Sequence, residues 1–527
     1  MEGRESTILT IDLGTSGPKV ALTSSRGEIL AADFEPVQLF LLPGGGAEQD
    51  PAEWCATIRA ALRRLLSQAS SLTDSIAALS CTAQWSGTVA VDQTGRPLMN
   101  ALISMDTRGA PFVRQIVRGA VNLGGFGLGK LVTWIALNGG APGRAGKDPI
   151  GHILYIQRTR PEVYRQTHKF LEPKDFLNLY FTGKFAASFD SISLHSLTDN
   201  RDAQRVAYDD RLLRFCGIAR EKLPDLAPAT DVLAVIRPEL AHELGLRQDV
   251  QVILGTPDVH SAAIGCGGVE DFQAHLYLGT SSWISCHVPY KKTDIFHNLA
   301  SFPSPLPGRY LLLDEQGSAG QALSYLRDQL FYPDDELSGP DAPEDAFQRF
   351  DSLAAAAPPG SDRVIFAPWL YGERTPVEDP LLRGGFFNLS LNTSRRHFVR
   401  AVYEGVALNS RWLFQSVEKF VGRRLDPLRI VGAGANSDLW CQIYADVLQR
   451  TVERVSQPVH VNARGAAFLA GLAFKWINIQ DIPSLIHAER VFTPNPSNRQ
   501  IYDELFDEFL QIYKQNQKMY TRLNKDR

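Results

Sequence analysis

A tight bend between two apolar runs occurs twice in this chain, as LTIDLGTSGPKVALT at 9–23 and HLYLGTSSWISCHV at 275–288. Asp12-Leu13-Gly14-Thr15-Ser16 aligns with Tyr277-Leu278-Gly279-Thr280-Ser281. The second copy opens a new strand-rich block near mid-chain, which predicts duplicated domains rather than a solenoid array. At 527 residues there is chain enough for two large cores.

The composition excludes several classes of protein. A formal net charge of −4 offers no general field for nucleic acid or acidic membranes. No apolar stretch approaches the roughly 20 residues of a membrane helix. The six cysteines are scattered without a Cys-x-x-Cys pair, and read as reduced thiols. The leading MEGREST is charged and runs straight into a strand, unlike a signal peptide, so a cytoplasmic location is expected.

Hydrophobic spacing places the motifs on elements. Strands are expected at Ile8–Asp12 and Lys19–Ser24, then a helix capped by Asp50 with Pro51 first and Trp54, Ile58, Leu62 and Leu65 on one face. IAALSCTAQ and VAVDQTGRPL read as strands, and 105–245 as mostly helix and loop, including a helix that stops at Gly183. A long helix is expected over 394–418, capped by Thr393 or Ser394. The strand RIVGAGA and a helix over Asp438–Gln449 follow. The tail from Asn498 carries Ile501, Leu505, Phe509 and Ile512 on one face and is expected to pack back on the first domain.

Four motifs could carry chemistry. In the opening bend, glycines let backbone N–H groups converge on an anion and the Thr and Ser hydroxyls add donors. A single copy reads equally as a plain hairpin; two copies favour a phosphate cradle. Paired acid-protease turns are excluded, because Tyr277 replaces the second carboxylate. Asp258 follows an apolar strand, where it could take a proton from an attacking hydroxyl or simply cap the next helix; His260 reads as a packing or capping residue. RIVGAGANSDLW, with Gly432, Gly434 and Ser437, suits an adenine or phosphate. It also resembles a dinucleotide fingerprint with Glu453 about 20 residues on. GGFGLGKL at 124–131 is a near miss to a Walker loop around Lys130, with Leu131 where a metal-binding hydroxyl is needed.

Together these pieces resemble the FGGY family of carbohydrate kinases, closest to its xylulokinase-like pentulose-kinase branch. About ten landmarks fall in family order along nearly the whole chain. They include DLGTSGPKV, AEQDPAEW, TAQWSGTVAVDQTGRPL, MDTRG, FLEPKDFLNLYFTGKF, the strand ending in Asp258, YLGTSS, WLYGERTPVEDPLLRGGFF, VYEGVALNSRW and VGAGANSDLWCQIYADVL. The resemblance implies an α/β fold of two actin-like ATPase, ribonuclease-H-like domains with the active site in the cleft between them. The domains are expected at 1–248 and 249–490, with 491–527 as a C-terminal helix. The implied cofactors are ATP and Mg²⁺, with Asp12 toward the metal. Gly14, Thr15, Ser16 and Lys19, with Gly279, Thr280 and Ser281, would meet phosphates; Gly432, Gly434, Ala435 and Asn436 would line the adenine site; Asp258 would be the base.

The sugar side departs from the family pattern. Gln-Met-His-Gly has become Gln84-Trp85-Ser86-Gly87, and Trp-x-Asp-x-Arg has become Ser104-Met105-Asp106-Thr107-Arg108. Gly-Gly before the base has become Thr256-Pro257, and the Asn after it is Val259. Gln84, Trp85, Ser86, Asp106 and Arg108 are the expected sugar contacts with Asp258, Arg108 reading equally as an ion-pair partner. The expected substrate is a ketose, D-xylulose or a related pentulose first. The alternatives are a heptulose, ribulose or glycerol kinase, a non-catalytic actin-like nucleotide-binding protein, or an NAD-dependent oxidoreductase. The expected partners are a small-molecule sugar and ATP, with no nucleic acid or membrane, and a homodimer left open.

Overall fold

The structure is a computed structural model describing residues 6–336 and 341–525. Its first sheet grows from the opening hairpin, in which β1 (Thr7–Gly14) pairs antiparallel with β2 (Gly17–Ser24). The register closes Gly14 against Gly17, leaving Thr15 and Ser16 as a two-residue turn. Gly17 has φ of +140°, and a Cβ there would sit 2.0 Å from the Glu35 carbonyl oxygen, so the close return of the chain requires glycine. The sheet continues with β3 (Ile29–Phe34), β4 (Ile76–Ala83), β5 (Val232–Val235) and β6 (Gln251–Ile253), in the order β5-β6-β4-β1-β2-β3. β4 lies parallel to β1 and β6 parallel to β4.

The second sheet repeats this plan. β7 (His275–Leu278) forms an antiparallel hairpin with β8 (Ser282–Ser285), β9 (Leu428–Val431) lies parallel to β7, and β10 (Val452–Val455) parallel to β9. An edge strand, β11 (Ala488–Phe492), completes the order β8-β7-β9-β10-β11. The duplication expected from one five-residue match is thus a duplication of topology: a hairpin followed by two parallel crossover strands.

The principal helices follow their caps. In α1 (Pro51–Gln68) the Asp50 carboxylate accepts from Ala52 N, and Trp54, Ile58, Leu62 and Leu65 are buried. α2 (Pro173–Thr182) stops at Gly183, whose φ is +76°. α3 (Asp258–Gly265) follows β6, and α4 (Arg395–Val421) starts from a capping box of Ser394 and His397. α5 (Asp438–Leu448), α6 (Val461–Ala473) and α7 (Arg499–Asn524) complete the set.

Two boundary expectations need correction. The division at 248 would separate β6 from the sheet it belongs to, since its partner β4 lies in the first domain. The tail helix α7 does not return to the first domain. Tyr502, Leu505, Phe506 and Phe509 join the second domain's core, with the Phe509 ring 5.1 Å from Trp369. An amphipathic face tells that a helix is covered, not by what. The segment that does reach the first sheet is α6, whose Phe468 and Leu469 pack with Ile8 and Ala78. It lies almost in backbone contact with α3, because a Cβ on Gly465 would fall 1.9 Å from the Ser261 carbonyl oxygen. The six cysteines are all buried as free thiols. Among the described residues no helix is long and apolar enough to cross a membrane.

Candidate active site

The register of the first hairpin sets Asp12 opposite Lys19, with Lys19 Nζ 3.6 Å from Asp12 Oδ2. The same oxygen accepts from Asn462 Nδ2 of α6 at 3.3 Å. Asp12 Oδ1 is buried without a partner among the described residues. Asp12 holds the Lys19 ammonium above its ordinary pKa against the opposing effect of burial, with Tyr277 and Asp258 adding to the pull. One charged group therefore feels the first hairpin, the second hairpin and the base candidate together.

The turn above these charges is braced from below. Thr15 Oγ1 donates to Gln84 Oε1 at 3.1 Å, Gln84 Nε2 donates to Gln49 Oε1 at 2.7 Å, and Gln49 Nε2 donates back to Thr15 O at 2.8 Å. Gln84, expected toward the sugar, thus has its carboxamide engaged by the turn of the first hairpin and by Gln49. Ser16 stays exposed at the tip and Gly14 is partly exposed.

In the second hairpin Gly279 N–H donates to Ser281 O, while Thr280 O and Gly279 O accept from Ala319 and Gly320 N–H. Thr280 is exposed. The 432–436 loop leans directly on this hairpin. Gly432 has φ of +91°, and a Cβ there would lie 2.6 Å from the Leu278 carbonyl oxygen. Gly434 is equally tight, since its Cβ would fall 2.5 Å from Leu278 Cγ. Ala435 is buried and Asn436 exposed, and Ser437 caps α5 by accepting from Trp440 N. Glu453 pairs with Arg429 across the register of β9 and β10, at 3.9 Å. It lies near the start of β10, whereas the glycine loop follows the end of β9, so it does not meet the loop as a dinucleotide site requires. In the Walker-like stretch the Lys130 ammonium is engaged by protein: Nζ donates to Ile116 O and lies over the Phe215 ring.

Asp258 is the first residue of α3, and Pro257 occupies the cap position. Among the described residues its Oδ1 accepts from the neighbouring Val259 N alone, at 2.8 Å, and not from the second or third amide as a cap would. Its carboxyl is pushed up to about 8, by burial first, then by the Asp12 carboxylate; Glu315 adds to this and Lys19 opposes it. Tyr277, stacked on Trp283 at 4.0 Å, feels Lys19, Asp12 and Asp258, and burial pushes its phenol up to about 12.

The residues expected toward the sugar are engaged by protein partners. Trp85 Nε1 donates to Ser191 O at 2.8 Å, and the indole meets the His260 ring edge-on at 5.0 Å. His260 hydrogen-bonds Pro303 O, a packing role as expected, and burial pushes it down to about 3. Ser86 has φ of +67° and donates to Lys147 O at 3.0 Å. Asp106 and Arg108 bind each other: Asp106 Oδ2 accepts from Arg108 Nε and Nη2 at 2.9 and 2.6 Å. Arg108 also reaches Glu48 at 2.6 Å and lies over the Tyr155 ring. The ion-pair alternative for Arg108 is therefore the arrangement present.

Five residues near the cleft went unnamed as site residues in the sequence: Lys147, Glu315, Tyr371, Arg374 and Asn462. Arg374 bridges the two halves, with Nη2 on Asp148 and Nη1 on Glu315, each at 2.9 Å. Tyr371 OH donates to Met105 O at 3.0 Å, and the Lys147 ammonium lies over the Tyr371 ring at 4.7 Å. Tyr371 and Arg374 both belong to WLYGERTPVEDPLLRGGFF, so the signal was present as a landmark without a role.

The first hairpin, with an Asp12 oxygen that is buried and unpartnered among the described residues, the second hairpin's Tyr277 and the Asp258 acid all act on Lys19. This equipment suits phosphoryl transfer, which asks for positioning and charge neutralisation more than covalent chemistry. Residues 7–265 match the FGGY family of carbohydrate kinases, N-terminal domain, and residues 274–474 its C-terminal domain. The chain is 28% identical to the xylulose kinase of Staphylococcus epidermidis over 98% of each chain. It is 30% identical to the xylulose kinase of Escherichia coli, over 96% of this chain and 98% of that one. The solved gluconate kinase of Lactobacillus acidophilus superposes with a TM-score of 0.84, at 24% identity, covering 99% of this chain and 100% of the other. The chain belongs to the FGGY family of carbohydrate kinases, ATP-dependent sugar kinases built from two actin-like domains.

Proposed function

We propose that this kinase transfers the γ-phosphoryl group of ATP to a hydroxyl of a ketose, with D-xylulose or a related pentulose as substrate. The observation that carries the reading is Asp258, a partly buried carboxyl that among the described residues accepts from its own neighbour alone, in the electrostatic reach of Asp12 and Lys19. Ionised, it takes the proton of the attacking hydroxyl as that oxygen bonds to the γ-phosphorus and the bond to the β-phosphate oxygen breaks.

The hairpins at 14–16 and 279–281 hold the phosphates from opposite sides, Lys19 adds a positive charge, and the 432–436 loop receives the adenine. The partnerless Asp12 Oδ1 fits a cation or a water bound to it. Mg²⁺ there would neutralise phosphate charge during transfer. Asn462 and Lys19 hold the other oxygen of that carboxylate in place.

Full-length relatives named xylulose kinase favour a pentulose. The altered pocket at Trp85, Ser86, Ser104 and Val259 keeps heptulose, ribulose and glycerol as the second reading, because a site built on hydroxyl pairing discriminates sharply. The test is ADP formation from ATP and Mg²⁺ against a panel of ketoses, polyols and sugar acids. Turnover is expected with a ketose, pentuloses foremost; turnover confined to polyols or sugar acids contradicts the substrate assignment.

A further inference from the structure

Two departures from the family pattern, Trp85 and Thr256, lie 171 positions apart in sequence, counted as 256 − 85. In the fold they are fastened to adjacent residues of one turn. Trp85 Nε1 donates to Ser191 O at 2.8 Å, and Thr256 Oγ1 donates to Asp190 Oδ2. Thr256 belongs to the strap at 254–257 that leaves β6 and delivers Asp258 to the head of α3.

That strap is held by side chains. Leu254 O accepts from Lys174 Nζ at 2.9 Å and from Asn178 Nδ2 at 2.6 Å, and Gly255 O accepts from Lys174 Nζ at 3.3 Å. Gly255 presses against β4, where a Cβ would fall 2.4 Å from the Cys81 carbonyl oxygen. Lys174 is 1% exposed, and its ammonium also meets Ser188 Oγ and Asp175. Asp175 in turn accepts from Ser191 Oγ at 2.8 Å. One buried lysine thus pairs with Asp175 and acts electrostatically on the buried Asp190, and the Thr256 hydroxyl donates a hydrogen bond to Asp190. Burying such a group gains little stability compared with apolar packing, so its geometric effect is the informative one.

We propose that Asp190 is a positioning residue, acting through Thr256 to fix the strap that carries Asp258 and, through Ser191, to fix the separation between Asp258 and the Trp85 wall. The inference rests on Asp258 being the base. The same turn reaches both sides of the acceptor pocket, and His260, two residues beyond Asp258, closes the loop by meeting the Trp85 ring. A displacement of the order of 1 Å at a reacting group can cost about a hundredfold in rate, so one hydrogen bond in the strap has leverage on turnover without touching the substrate.

The test compares Thr256→Val, Thr256→Ser and Asp258→Asn in the full chain, with ATP, Mg²⁺ and the best ketose of the panel. Thr256→Val keeps the shape of the side chain and removes the donor. It is expected to lower kcat about tenfold or more while the KM for ATP stays within about twofold, and Thr256→Ser to restore kcat to within about twofold of wild type. Valine and serine variants impaired alike, or a valine variant with wild-type kcat beside an inactive Asp258→Asn, would overturn the proposal and leave the base in place. Near-normal turnover by Asp258→Asn would instead strike the base reading beneath it. Should Thr256→Val fail to fold, Asp190→Ala, which removes the acceptor, is read by the same split: a fall in kcat at constant ATP KM supports the proposal, and an unchanged kcat overturns it.

Discussion

Asn462 donates its side-chain amide to Asp12 Oδ2 at 3.3 Å, joining two residues 450 positions apart. The bond exists because α6 crosses back from the second half of the chain to lie on the first sheet. It holds one oxygen of the Asp12 carboxylate, while the other, Oδ1, has no partner among the described residues. Asn462→Ala should therefore raise the KM for Mg²⁺–ATP by about tenfold or more, the loss of roughly one hydrogen bond to a charged group. The sugar KM should remain near wild type, as initial rates at varied ATP and ketose will show.

The carboxyl of Asp258 is pushed up to about 8, so its acid form dominates below that pH. Only the ionised form accepts the hydroxyl proton. Activity must then rise with pH: kcat/KM for the ketose is expected to climb about tenfold per unit below pH 8 and to level off above it. A flat profile from pH 6 to 9 contradicts this assignment.

Arg374 stands between Asp148 and Glu315, 2.9 Å from each, where the two halves of the molecule meet. Arg374→Met would remove the guanidinium that pairs both carboxylates, leaving the Lys147 ammonium as the nearby positive charge acting on Asp148 and Glu315. The ketose KM should rise at least about tenfold, with a smaller change in the KM for ATP. Adding Asp148→Asn to that variant should recover part of the loss, a coupling of about 1 kcal/mol or more in a double-mutant cycle.

The 432–436 loop packs on the second hairpin and has no acidic partner from Glu453. A ligand bound to the native state at about a hundred times its Kd stabilises it by about 2.7 kcal/mol. Mg²⁺–ATP should accordingly raise Tm by several degrees, while NAD at the same concentration should leave it unchanged. A shift with NAD alone would revive the dinucleotide reading of RIVGAGANSDLW.

Local chemistry was legible in the sequence and long-range partnership was not. The two hairpins could be read because Gly-Thr-Ser recurs between apolar runs, where one copy alone is equally a plain turn, and Asp50 could be read as a cap because its proline and first-turn neighbours agree. Ile501, Leu505 and Phe509 announced a buried face on the last helix, yet nothing in their spacing pointed to Trp369 rather than the first domain. Gln84 was assigned to the sugar by its motif, whereas its amide pairs with Thr15 and Gln49. The Arg374 bridge joins residues 226 positions apart, and the Thr256–Asp190 bond joins residues 66 apart. Such pairs are set by how the sheets stack, which no local pattern encodes.

The central claim is that one acid, Asp258, activates the acceptor alcohol in a cleft that holds ATP from both sides. The most direct measurement is the initial rate of D-xylulose-dependent ADP formation by the wild-type protein and by Asp258→Asn, with nucleotide affinity measured in parallel. The account predicts saturable turnover by the wild type, a fall of at least about a hundredfold in kcat for the variant, and an ATP Kd within about twofold between them. Near-normal turnover by Asp258→Asn would contradict it.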